Sequence, residues 1–411
     1  MPYNYYRLSN GIRLIHRQST NLVAHCAFMV NTGSRDEKEH ENGLAHLIEH
    51  MIFKGTGKRN SYHILNRLEH VGGDLNAYTT KEETCIHASF LPEHLNRALE
   101  LFSDLSFNST FPAKEIEKEK AVILDEINSY RDNPSDEIFD EFENLIFRNH
   151  PIGRNILGTP EHLSRLKRQD IFRFISRNYS TTEMVISLVA PIGFKKFIKA
   201  AEHFFGEIKS EKARQERPVF NSYEPRQEYA SKKGYLSHCT IGNIAFPQNH
   251  PLRHAMILLN NILGGPGMNS RLNLGIREKY GFCYSIESHF TSYSDVGVFV
   301  LYFGTDPRSL DKTKSLVMKE LTRLIKQPLS IIQLERAKKQ LTGQLAISFE
   351  SGMSEALAIA RAHLNVEVVD DMTSLTAKIN QISQNDLQLA ASEVFDPSLL
   401  SSLTYVSEEK N

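Results

Sequence analysis

The sequence predicts an α+β fold built twice, as two homologous domains, each a mixed and mainly antiparallel sheet covered by helices. Three observations carry that reading. The chain has 411 residues, too many for one ordinary core and enough for two of about 200 each. Strand-like runs and helix-like periodicities follow one another in an order that gives a mixed sheet under helices. Around residues 207–233 the composition turns charged and proline-marked, and afterwards the same order starts again. The expected division is therefore 1–206, a linker over 207–233, and 234–411.

The elements can be justified in order. Tyr5–Leu8 and Ile12–His16 flank Asn10-Gly11, a hairpin turn signal, and Ala24–Val30 is a further strand. Helical spacing follows over 44–54 and 61–70. Gly72-Gly73 then breaks the chain before short strands at Leu75–Thr79 and Thr84–Phe90. Pro92 opens a helix that runs through Ser106, and Pro112 precedes a long charged helix over 113–131, with Pro134 just beyond it. More helices extend to about Asn178, then a strand at Met184–Val189 and a helix over 193–205. In the second half a strand over Tyr235–Phe246, helical stretches Leu252–Gly264 and Ser270–Tyr280, paired strands within Tyr284–Phe303, and helices over 307–326 and 331–348 repeat the series.

Composition narrows the function classes. With 40% hydrophobic and 24% charged residues and a formal charge of −1, the chain offers no electrostatic case for nucleic acid or an anionic membrane. No run of 18 apolar residues occurs, and the N-terminus shows no basic segment followed by an apolar one, so neither anchor nor export signal is expected. Cys26, Cys85, Cys239 and Cys283 form no Cys-x-x-Cys pair and read as buried apolar residues of a protein in a reducing, cytoplasmic setting.

The chemistry concentrates in His46-Leu-Ile-Glu-His50. Leu44, Leu47, Ile48 and Met51 recur at spacings of three and four, so the segment is helical and projects both imidazoles from one face. Glu49 borders that face and can reach a water on a metal held there. The string inverts His-Glu-x-x-His and is the inverzincin signature. A catalytic zinc takes three protein ligands, so a third is needed from another rigid element. Glu119 and Glu126, seven apart on the long charged helix, lie within about 20° of each other on one face; one can ligate while the other supports. His40, His63, His70, His87 and His94 complete no second clamp, and the second half has no residues matching the metal set.

His46–Thr56, then Gly72-Gly-Asp-Leu-Asn-Ala-Tyr-Thr79, then Glu117–Ile127 resemble, in that order, the pitrilysin/insulinase family of zinc peptidases, most nearly its short-chain branch, which includes mitochondrial processing peptidase. The separation of 76 positions between His50 and Glu126 matches that family. The resemblance implies zinc on His46, His50 and Glu126, Glu49 as general base, and Glu119 as a carboxylate supporting the ligands. It also implies that Asn76, Ala77 and Tyr78 belong to an edge strand to which an extended peptide adds. Glu82 stands where the family has an acid, without an assigned role.

The second half contributes Gly264-Gly-Pro-Gly-Met-Asn-Ser-Arg-Leu272, which lacks the Gly-Lys-Ser/Thr of a phosphate loop. In the resembling family this segment leads into an Arg and a Tyr seven apart, here Arg277 and Tyr284, implied to contact substrate and the oxyanion of the tetrahedral intermediate. Relatives of this length pair into a clamshell, which implies a homodimer whose Arg277 and Tyr284 complete the partner's zinc site. The expected function is a zinc endopeptidase acting on unfolded oligopeptides inside that chamber. A dedicated leader-processing peptidase, a non-catalytic subunit of a peptidase complex and a purely structural zinc are the other readings.

Overall fold

A computed structural model describes residues 3–209 and 216–408. In chain order its strands are β1 (Asn4–Arg7), β2 (Arg13–Gln18), β3 (Ala24–Val30), β4 (Asp74–Thr79), β5 (Thr84–Phe90), β6 (Met184–Ala190), β7 (Gln227–Lys232), β8 (Ser237–Ala245), β9 (Cys283–Ser292), β10 (Gly297–Thr305) and β11 (Ser401–Ser407). Its α-helices are α1 (Leu44–Ile52), α2 (Ser61–Glu69), α3 (Leu95–Phe107), α4 (Ala113–Arg131), α5 (Pro134–Ile146), α6 (Pro160–Arg165), α7 (Arg168–Asn178), α8 (Phe194–Phe205), α9 (Arg253–Gly264), α10 (Leu310–Lys326), α11 (Ile331–Phe349), α12 (Gly352–Asn365), α13 (Met372–Gln381) and α14 (Gln384–Val394). No helix of the described residues is long and apolar enough to cross a membrane.

The chain forms two compact units. The first holds residues 1–127, 154–217 and 346–371. Its six strands lie in the order β1-β2-β6-β3-β5-β4, with β2 and β6 parallel and the other neighbours antiparallel. Side chains alternate between the two faces of a strand, and both faces of this sheet are buried. Ala24, Cys26 and Phe28 of β3 join Ile186 and Leu188 of β6 in a core with α1, α3 and α8, while Ala27 and Met29 join Val185 and Val189 against Ala356, Ile359 and Ala360 of α12. Two buried faces explain why Met184–Ala190 is buried throughout and apolar but for Ser187, whose hydroxyl donates to the Ala356 carbonyl at 2.8 Å.

The second unit holds residues 128–153, 218–345 and 372–411. Its five strands lie in the order β7-β11-β8-β10-β9, parallel only between β7 and β11. Ile241, Phe299, Leu301 and Phe303 face a core with α9, α10 and α14, whereas Val298, Val300, Tyr302 and Tyr405 pack on Ile138 and Phe142 of α5. Each sheet is mixed and mainly antiparallel with helices on it, as expected from the order of signals.

The contiguous division into 1–206, 207–233 and 234–411 needs correction. Helix α5, from the first half of the sequence, covers the second sheet, and α12, from the second half, covers the first. Each amphipathic helix buries its apolar face where a sheet face lies bare, regardless of sequence distance. The linker also shrinks: Gln227–Lys232 is strand β7, paired with β11, and part of the remainder, 210–215, lies outside the described residues.

Candidate metal centre

The helix that carries the two imidazoles is short and firmly seated. Its apolar residues Leu44, Leu47, Ile48 and Met51 are buried, which fixes the face that His46 and His50 present. Gly43 at its start has φ +93°, a left-handed conformation, and a Cβ there would fall 2.8 Å from the Leu157 carbonyl oxygen. Because glycine has no side chain to cap the helix, the task falls to Glu37. Its carboxyl oxygens accept from Ala45 N at 2.7 Å and from Gly43 N at 3.0 Å, satisfying N–H groups that the helix start leaves free. Burial pushes this carboxyl up to about 8, against the pull of those N–H groups, Asn42 and Arg154.

His46 Nε2 and His50 Nε2 each stand 3.8 Å from Glu126 Oε2, and the two rings are 4.6 Å apart edge to face. One ligand atom from each of these three residues lies within 4.8 Å of the other two, the sole such group among the described residues. His50 Nδ1 pairs with Glu119 Oε2 at 3.1 Å, and Glu119 Oε1 with Lys54 Nζ at 2.7 Å. A carboxylate only accepts, so Nδ1 of His50 carries the proton and Nε2 turns its lone pair toward His46 and Glu126. Burial, reinforced by His50, lowers His46 to about 4, so its ring is neutral at pH 7.

These residues fit a zinc ion. At 3.8 Å neither imidazole hydrogen-bonds Glu126. The three ligand atoms are therefore not satisfied by one another, and Nδ1 of His46 is buried without a partner. Two imidazole nitrogens and one carboxylate oxygen are the donor set of a catalytic zinc that keeps a position open.

Glu49 lies one residue before His50, half-buried. Burial raises its carboxyl above the ordinary value and Glu126 adds to the rise, while Thr79 and His50 oppose it. Thr79 ends β4, which closes the strand order on one side, so the end of an edge strand lies beside the prospective base. On that strand Asn76 is exposed, Ala77 is 9% exposed, and Tyr78 is committed through its hydroxyl to Glu83 at 3.0 Å and Arg361 at 3.1 Å. What Ala77 offers a ligand is thus main chain. Glu82 is occupied by Arg35 at 2.8 Å and Arg217 at 3.3 Å.

Arg277 and Tyr284 stand together in the second unit. Arg277 sits on a π-helical stretch, Asn273–Glu278, and its guanidinium lies 5.9 Å from the Tyr284 ring, which is 80% exposed at the start of β9. Reading the sequence overlooked Glu37, Lys54 and Arg361. Neither Glu37 nor Lys54 lies within α1, which ends at Ile52, so the helical pattern pointed to neither.

Residues 13–160 match the family described as insulinase (peptidase family M16), and residues 165–341 match its "Peptidase M16 inactive domain". The chain is similar to "Uncharacterized zinc protease YmxG" of Bacillus subtilis, 33% identical with 93% of this chain and 92% of that one covered. It is similar to mitochondrial-processing peptidase subunit beta of Bos taurus, 29% identical with 92% of this chain and 78% of that one covered. A solved structure of a protease from Helicobacter pylori superimposes with a TM-score of 0.90 at 21% identity, covering 98% of this chain and 99% of that one, and carries the fold likeness.

Proposed function

Because this chain belongs to the insulinase family, peptidase family M16, we propose that it is a zinc-dependent endopeptidase that hydrolyses peptide bonds in unfolded oligopeptides. The observation that carries this is the convergence of His46, His50 and Glu126, with Glu49 on the same helix and the end of the β4 edge strand beside it. His46, His50 and Glu126 would hold the metal. Zinc so held would supply Lewis acidity to a water and a carbonyl. Glu49 takes the proton of the attacking water at its carboxylate and returns it to the leaving nitrogen, and the rise in its pKa suits that exchange.

An extended peptide adds to β4 through main-chain hydrogen bonds along Asn76, Ala77 and Tyr78, which read chain direction more than side chains. Arg277 fixes the peptide, and Tyr284 donates to the oxyanion. We assign these two residues to the zinc site of a second copy of the chain, in a homodimer that encloses its substrate. The likeness to a processing-peptidase subunit favours a second reading, removal of one kind of leader segment. Profiling against unrelated peptides separates the two: many cleaved peptides support the first, one precursor the second. The four cysteines are free and buried, which suits the cytoplasm.

Glu49→Gln tests the core of the proposal. It should bind zinc stoichiometrically and cleave about 10²–10⁴-fold more slowly; full turnover in the zinc-loaded variant would refute the general base. Mixing His50→Ala chains with Arg277→Ala chains should restore part of the activity through dimers with one intact site. No recovery despite proven mixing would refute sharing between copies.

A further inference from the structure

We propose that Asn273 is the positioning residue of Arg277, and that the glycine-rich segment Gly264–Met268 is the strut that holds Asn273; the proposal rests on the reading above that Arg277 contacts the peptide. Asn273 is 7% exposed and both ends of its amide are used. Its Nδ2 donates to the Met268 carbonyl at 2.6 Å, and its Oδ1 accepts from Arg277 NH1 at 3.3 Å. The amide cannot be turned over, because that would set its N–H₂ against a guanidinium that only donates and its oxygen against a carbonyl. The side chain thus reads in one direction, from loop to arginine.

The loop end of this chain of contacts is itself fixed. Asn269 Nδ2 donates to Gln340 Oε1 at 2.8 Å, and Gln340 Nε2 donates back to Asn269 Oδ1 at 3.2 Å, tying the segment to α11. A Cβ on Gly267 would fall 2.6 Å from Asn269 Oδ1 and 2.9 Å from Gln340 Nε2, so the glycine permits this amide pair to lie close against the main chain. That accounts for Gly267 without any phosphate. The π-helical winding over Asn273–Glu278 is a rare local geometry that tends to occur at functional sites, and here it spans both the tether and the tethered residue. Arg277 has a long, freely rotating side chain. One fixed acceptor on NH1, together with the Tyr284 ring at 5.9 Å, narrows its arc to the side on which Tyr284 is exposed.

The test measures kcat and KM on an internally quenched oligopeptide for the zinc-loaded full chain, Arg277→Ala, Asn273→Leu and the double variant. Asn273→Leu should lower kcat/KM about tenfold, dividing the loss between kcat and KM as Arg277→Ala does, and should add nothing in the Arg277→Ala background. Asn273→Asp keeps the size of the side chain and an acceptor for Arg277 but sets a carboxylate oxygen against the Met268 carbonyl in place of the N–H₂; its kcat/KM should therefore lie between those of the unmodified chain and Asn273→Leu, and it serves also if the leucine variant fails to fold. Losses that add in the double variant, an unimpaired Asn273→Leu, or an Asn273→Asp as poor as Arg277→Ala would each overturn the tether. If Arg277→Ala itself turns over normally, the fault lies with the assignment of Arg277 to the peptide, and the tether falls with it.

Discussion

In the first unit α1 meets α4 through His46, His50 and Glu126; in the second, α9 meets α11 through Asn261 and Gln344. The two junctions are built alike. Each begins from a helix between the first and second strands of a sheet's outer half, and each ends on a nineteen-residue helix, where Glu126 and Gln344 are both the fourteenth residue. What differs is what the side chains leave unmet. Asn261 donates to Gln344 at 2.6 Å, so two amides satisfy each other across the second junction. Across the first, both imidazole nitrogens stand 3.8 Å from the Glu126 oxygen, too far to satisfy it. The scaffold occurs twice, and only the first copy leaves its polar side chains unsatisfied by one another, as the proposed metal centre requires.

The comparison breaks if the first junction does not hold metal. His50→Ala should abolish stoichiometric zinc by metal analysis and peptide cleavage with it, whereas Gln344→Ala should leave zinc content unchanged. The next effect concerns the metal-free protein. His46 is lowered to about 4 in the fold, against 6.5 in the unfolded chain, so folding favours its neutral ring. Stability should be full above pH 6.5, fall as pH drops through the interval, and level off below about 4, at a total cost of about 3 kcal/mol. Denaturant titrations of metal-free protein and of His46→Ala would show this, the variant having the flatter acid limb. An equally steep limb in both would remove the argument that burial keeps His46 available.

Glu119→Gln sharpens the contrast between ligand and support. It preserves all three ligand atoms but weakens the carboxylate that orients His50, so zinc affinity, measured by competition with a chelator, should fall about 10–100-fold. The smallest effect belongs to the second junction. Asn261→Leu and Gln344→Leu should each cost about 1 kcal/mol, and the pair together less than the sum, since either change strands the other amide. Thermal unfolding of the single and double variants reads this directly; strict additivity would mean the pair does not hold the junction.

Much of the site was legible because its helix advertises itself: the apolar residues of α1 repeat at spacings of three and four, and that alone places two imidazoles on one face. Glu126 was not separable from Glu119 by spacing, since both lie on one face of α4, and only the resemblance ranked them; the pairing of Glu119 with His50 and Lys54 now gives the physical reason. Strand β7 escaped notice because Gln227–Lys232 is largely exposed and shows no apolar alternation, its pairing being with a strand some 170 residues on. The amphipathic pattern of α5 declares a buried face without saying which sheet receives it. The π-helical stretch carries no sequence signature of its own, and Glu37 caps its helix from a loop, beyond the reach of any local pattern.

The covering of the first sheet by α12 also sets a timetable. Ile15, Ala27, Met29, Cys85, Val185 and Val189 form a greasy sheet face whose lid, Ala356 to Leu364, is among the later residues to leave the ribosome. Until then the nascent first unit is a half-finished sandwich open to wrong partners, and a chain stopped at residue 206 would stay so. The proposed metal ligands, though translated within the first third, wait on the last third for a finished sheet beneath them.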